Sequence, residues 1–179
     1  MAALARLEQA GLEDSAGGED QEAFDLLELL EDLIRCCAPR AAESAVTLRL
    51  SPDPAAHRLP VRGHSAQLLR LFTNLLLNAI RHSPPDGTVA VEARVAGRQV
   101  RVVVADEGPG IPPRARERVF ERFWSGSDRG GQSGLGLAIA QAIARRHGGR
   151  LHIGENGDRG GCVLLVDLPI ATAKTGRSS

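Results

Sequence analysis

The chain is expected to fold as an α+β two-layer sandwich, with three helices laid over one face of a mixed, mostly antiparallel sheet. Apolar residues recur at helical spacing in separate long stretches, and short runs of alternating apolar and polar residues, bracketed by turn residues, recur between them. Their order is helix, strands, helix, hairpin, long connection, helix, hairpin.

Taken in order, residues 1–12 place Leu4 and Leu7 on one face of a helix closed by Gly11. This reads as the remnant of a longer upstream helix. Residues 13–22 are acidic, contain glycine and lack large apolar groups, which is the composition of a linker. Phe24 to Arg40 resumes helical spacing through Leu27, Leu30, Leu33 and Ile34, with Pro39 near its end. Val46 to Leu50 alternates as a strand does, and His57 to Val61 reads as a short edge strand because Pro60 lies within it.

The central helix spans about Ser65 to His82 and ends where Ser83 meets Pro84 and Pro85. Leu68, Leu71, Phe72, Leu75, Leu76, Ala79 and Ile80 form its apolar stripe. Thr88 to Val95 and Gln99 to Ala105 form a hairpin about Ala96-Gly97-Arg98. From Asp106 to Ser133 the composition turns to Gly, Pro, Arg, Ser and Asp, with one helical piece around Arg116 to Phe123. A connection that long within a domain is usually functional. Leu135 to His147 is helical and closes on Gly148-Gly149. Strands at Arg150 to Ile153 and Gly161 to Leu168 follow, flanking Glu155-Asn156-Gly157-Asp158. The domain is thus expected over 23–170, with a small, polar, disordered tail over 171–179.

The 22 basic and 22 acidic residues balance, so there is no electrostatic footprint for nucleic acid. No apolar run approaches the ~20 residues that a membrane helix needs. Cys36, Cys37 and Cys162 show no metal-ligand spacing, and free thiols in a reducing compartment are expected. Lys174 is the only lysine among the 22 basic residues. That excludes the P-loop, which needs Gly-Lys-Ser/Thr, and the strand lysine of eukaryotic-type protein kinases.

Three features point to chemistry, and a fourth, a glycine-bearing segment, does not. Asn74 and Asn78 stand one helical turn apart on an apolar helix, continued by Arg81 and His82. Buried amides need partners, and both core asparagines and a ligand site satisfy that need. Asp106-Glu-Gly108-Pro-Gly110 follows a strand, where a carboxylate can accept from a ligand amino group and glycines allow close approach, although the same residues make a good turn. Gly130 to Leu137 enters a helix, so its backbone N–H groups and dipole suit phosphate oxygens, with Ser133 a cap or a phosphate donor. Gly157 to Gly161 is explained by a hairpin turn alone.

Together, Asn74-x-x-x-Asn78-Ala, Asp106-x-Gly108-x-Gly110, Phe120-Glu-Arg-Phe123 and Gly134-Leu-Gly136-Leu resemble the ATP-binding catalytic domain of bacterial two-component sensor histidine kinases. They match that family's asparagine, first glycine, phenylalanine and second glycine boxes, and the resemblance runs from about Val46 to Pro169. It implies the Bergerat sandwich, with nucleotide between the asparagine helix and a lid. Asp106 would bind the adenine amino group, with Gly108 and Gly110 shaping that pocket and Ile111 among the nucleotide-binding residues. Asn78 would ligate Mg2+, beside Asn74; Arg81 and Arg122 would contact phosphate. Phe120 and Phe123 would anchor the lid, Gly134 and Gly136 would give the helix start its phosphate-facing amides, and Ser133, Leu135 and Leu137 would belong to the same nucleotide site. His82 replaces the tyrosine common near the adenine, and His64 replaces the aspartate that usually follows Gly63.

The hydrolysing relatives of this fold carry glutamate where this chain has Asn74, and an amide is no general base. The resemblance therefore implies that Mg-ATP is held until a histidine on a dimerisation domain takes the γ-phosphoryl group, for relay to a response regulator. None of His57, His64, His82, His147 and His152 is followed by an acidic residue, as the family's acceptor is, so the acceptor is expected outside these 179 residues. His147 is expected to meet its helix dipole. The resemblance further implies a monomeric fragment, a homodimeric full-length kinase anchored in the inner membrane, and a cytoplasmic location for this domain. The alternatives are an ATPase of the same fold and a degenerate nucleotide-binding interaction module.

Overall fold

The computed structural model describes residues 21–121, 134–155 and 160–171. Strand β1 is Glu22–Asp25, helix α1 Leu26–Glu43, β2 Thr47–Pro52, β3 Pro60–Gly63, and helix α2 Ser65–His82. Then come β4 Thr88–Ala96, β5 Gln99–Ala105, helix α3 Gly136–Arg146, β6 Arg150–Ile153 and β7 Val163–Pro169. Residues 1–20 and 172–179 lie outside the described segments, and with them the expected helix remnant, most of the linker and the tail.

The main sheet has the order β2-β4-β5-β7-β6; β2 runs parallel to β4 and the other pairs are antiparallel. Alternation along β5 sends Val100, Val102 and Val104 into the core, where they meet Leu164, Val166 and Leu168 of β7. Phe72, Leu68, Leu71, Leu75 and Leu76 of α2 are fully buried in the same core. Burying a side chain of that size is worth about 1.5–3 kcal/mol, so this stripe fixes which face of α2 turns inward and leaves Asn74 and Asn78 at its half-buried flank.

Two local expectations are corrected. Phe24 belongs to a strand, because β1 pairs with β3 in a separate two-stranded sheet. Helix α1 begins only at Leu26, where Asp25 Oδ1 accepts from the backbone N–H groups of Leu27 (3.0 Å) and Leu59 (2.9 Å). That helix also runs through Pro39 to Glu43, since the side of the last turn carrying Pro39 is exposed. The helical piece around Arg116 consists of two 3-10 turns, Pro113–Ala115 and Arg118–Phe120.

Candidate functional site

The carboxylate of Asp106 closes β5 and is 7% exposed. Its Oδ1 accepts from the N–H of Gly108 (2.9 Å) and from the N–H of Cys162 (3.0 Å). Burial pushes the Asp106 pKa up, opposed by those two hydrogen bonds and by nearby His82. The loop that follows lies close under the end of α2: a Cβ on Gly108 would stand 2.5 Å from the carbonyl oxygen of His82. Glu107 anchors the same loop by accepting from the N–H of Thr88 (3.0 Å). Partial burial and the Arg81 guanidinium lower the His82 pKa, against the pull of Asp106, so the ring is biased to its neutral form.

Asn74 faces the start of α3, where a Cβ on Gly136 would stand 3.9 Å from its side chain. Its Nδ2 is buried and has no hydrogen-bond partner among the described residues. The N-cap position of α3 is Leu135, which makes no side-chain cap bond, so among the described residues no N-cap side chain covers the first-turn N–H groups. Gly134 adopts φ of +60° and Gly110 φ of +70°, which suits residues without a Cβ. Ile111, Phe120 and Leu137 are half-buried against the core cluster.

The structure thus brings Asn74, Asn78, Arg81, His82, Asp106, Gly108, Gly110, Gly134 and Gly136 to one edge of the fold, between α2, the end of β5 and the start of α3. Arg122, Phe123 and Ser133 lie outside the described residues. Among the described residues, no group of three or more His, Cys, Asp or Glu side chains could hold a metal.

Sequence reasoning missed two contributors. The Gly157–Gly161 segment reads as a bare turn, yet Cys162, between it and β7, supplies the N–H that holds Asp106. His147 meets the end of its helix as expected, through the Ile143 carbonyl, and in addition clamps that end to the start of α2 as a neutral ring. Its Nε2 accepts from the N–H of His64 (3.1 Å), so Nδ1 carries the proton that bonds the Ile143 carbonyl (2.8 Å). Neither role leaves a compositional trace.

Comparison with known proteins agrees with this geometry. Residues 63–172 match the family model described as histidine kinase-, DNA gyrase B- and HSP90-like ATPase. The sensor histidine kinase AruS of Pseudomonas aeruginosa is 40% identical over 172 residues, which cover 92% of this chain and 17% of AruS. A solved mycobacterial sensor histidine kinase, MprB, superposes with a TM-score of 0.73 at 31% identity, over 83% of this chain and 97% of that one. Histidine kinase ThkA, solved in complex with the response regulator TrrA, gives 0.73 at 25% identity, over 95% of this chain and 49% of that one. This chain therefore spans a minor part of the curated relatives' length, and it belongs to the histidine kinase-, DNA gyrase B- and HSP90-like ATPase family, among the catalytic domains of sensor histidine kinases.

Proposed function

We propose that this domain binds Mg-ATP at the edge formed by α2, β5 and α3 and donates the γ-phosphoryl group to a histidine on a dimerisation domain, for relay to a response regulator. The observation that carries the reading is Asn74. It stands against the α3 start with a buried amide nitrogen that has no partner among the described residues, and the position offers a hydrogen-bond donor but no base. A site that positions phosphate without activating water keeps the phosphoryl group for another nucleophile.

In this reading Asp106 accepts from the adenine amino group, Gly108, Gly110 and Ile111 line the base pocket, and His82 flanks it. Arg81 and Arg122 meet phosphate, the α3 start with Ser133, Gly134, Leu135, Gly136 and Leu137 faces the phosphates, and Phe120 and Phe123 anchor the lid. Asn78, one turn beyond Asn74, offers its amide oxygen to magnesium. A donor set with one neutral oxygen and, among the described residues, no carboxylate cluster fits an ion that arrives with the nucleotide and is otherwise coordinated by phosphate and water. When bound, magnesium neutralises charge on the β- and γ-phosphate oxygens. The response regulator partner is supported by the ThkA complex. Anchoring of the whole kinase in the inner membrane is proposed by resemblance; among the described residues no helix is long and apolar enough to cross a membrane.

The test mixes this chain, radiolabelled Mg-ATP and the acceptor-histidine domain supplied in trans. Acid-labile label on that domain, absent with Asn78→Ala, is the expected result. Steady phosphate release without acceptor would instead make the domain an ATPase, and tight ATP binding with neither transfer nor release would make it a binding module.

A further inference from the structure

Asp106 has two carboxylate oxygens, and the fold treats them differently. Oδ1 is taken by two backbone donors from separate segments, Gly108 in its own loop and Cys162 at the entry to β7. The attachment is reciprocal, since the N–H of Asp106 donates to the carbonyl of Cys162 at 3.0 Å. The chain before Cys162 is pressed against Asp106 so closely that a Cβ on Gly161 would stand 1.8 Å from the Asp106 carbonyl oxygen. Gly161 also adopts φ of +81°, a conformation that side chains disfavour. Gly160 lies beside Gly108, its hypothetical Cβ 3.9 Å from that residue's carbonyl oxygen.

We infer that the Gly160-Gly161-Cys162 backbone is a positioning element for base selection: by holding Oδ1, it presents Oδ2 of Asp106 as a lone acceptor aimed at an exocyclic amino group. A carboxylate free to rotate would offer either oxygen at varying angles and discriminate poorly. A carboxylate locked in this way accepts from the amino group of adenine and repels the carbonyl oxygen that guanine carries at the same position. Gly161 and Cys162 act here through Asp106 and touch no ligand in this scheme. The inference rests on the proposed adenine role of Asp106.

The test measures Kd for ATP and GTP on the whole chain by titration calorimetry. Gly161→Ala is expected to weaken ATP by about tenfold, the worth of one hydrogen bond to a charged group, and to bring the ATP:GTP preference toward one. Gly97→Ala is the matched control, because Gly97 has φ of +64° in the β4–β5 turn and open space around it, so it carries backbone strain without touching the site. A folded Gly161→Ala chain with unchanged ATP affinity and preference would overturn the inference, as would an equal loss in Gly97→Ala. If Gly161→Ala does not fold, hydrogen exchange of the Gly108 and Cys162 amides in the unmodified chain decides. Both are expected to stay protected on ADP binding, and acceleration of either would show that the ligand takes Oδ1. Asp106→Asn separates the two levels: if it leaves ATP binding intact, the adenine role itself fails.

Discussion

The side-chain nitrogen of Asn74 is buried without a partner among the described residues, and an orphaned donor of that kind costs about 1–3 kcal/mol. Leucine has nearly the same shape and no donor. Asn74→Leu is therefore expected to raise the stability of the nucleotide-free domain by about 1 kcal/mol, read from the urea midpoint, while weakening ATP by about tenfold. A destabilised variant with normal ATP affinity would return Asn74 to a packing role. Asn78 is half-buried one turn further on, so truncating it disturbs little of the core. Asn78→Ala is expected to hold stability within about 0.5 kcal/mol and to lose the magnesium-dependent part of ATP affinity. Titrations with and without EDTA check this, and a loss of the same size in EDTA would remove magnesium from the role of Asn78.

The end of α3 is joined to the start of α2 by the ring of His147, which is 8% exposed and bonded at both nitrogens. Gly63 completes the joint, since a Cβ there would stand 2.2 Å from the ring. The ring has no room to yield, so Gly63→Ala is expected to cost about 2 kcal/mol alone and little once His147→Ala has removed the ring. A double-mutant cycle measures that coupling, and additive costs would refute the joint. The same ring makes stability depend on pH. Burial, the Ile143 carbonyl notwithstanding, lowers its pKa from 6.5, and His64 and Arg146 push the same way. Well above pH 6.5 the ring is neutral in folded and unfolded chains, and the clamp contributes fully. As pH falls below 6.5 the unfolded chain binds a proton that the folded chain resists, and stability drops until the lower folded value is passed. His82 and His152, also lowered by burial, add in the same direction. Denaturation midpoints across that window are expected to fall on acidification, with a shallower slope in His147→Gln.

Across the whole molecule, Asp167 of β7 ties the sheet together by accepting from Arg101 Nε of β5 (2.6 Å) and Arg150 Nε of β6 (2.9 Å). Its side chain is fully buried, whereas the arginines are 25% and 63% exposed. Asp167→Ala is expected to cost about 2 kcal/mol, less than a wholly buried pair, because water reaches both cations left behind. The architecture that these contacts hold was legible in the sequence where periodicity is strong: α2, β5 and β6 occupy the residues that their spacing predicts. It was illegible where backbone groups decide. The β1–β3 pairing, the cap that delays α1 to Leu26, and the Cys162 N–H on Asp106 all rest on main-chain donors and acceptors that every residue carries. The site residues lie far apart in the chain, so their meeting depends on the whole sheet and helix layer, and nucleotide binding must stabilise all of it. Mg-ATP at about a hundredfold over Kd is expected to add about 2.7 kcal/mol, which for a domain of this size raises Tm by about 5–10 °C. GTP at the same concentration is expected to give a smaller shift, because guanine sets a carbonyl oxygen against Asp106. A scan in which both nucleotides raise Tm equally would show that binding reads the phosphates alone and that the carboxylate takes no part in base choice.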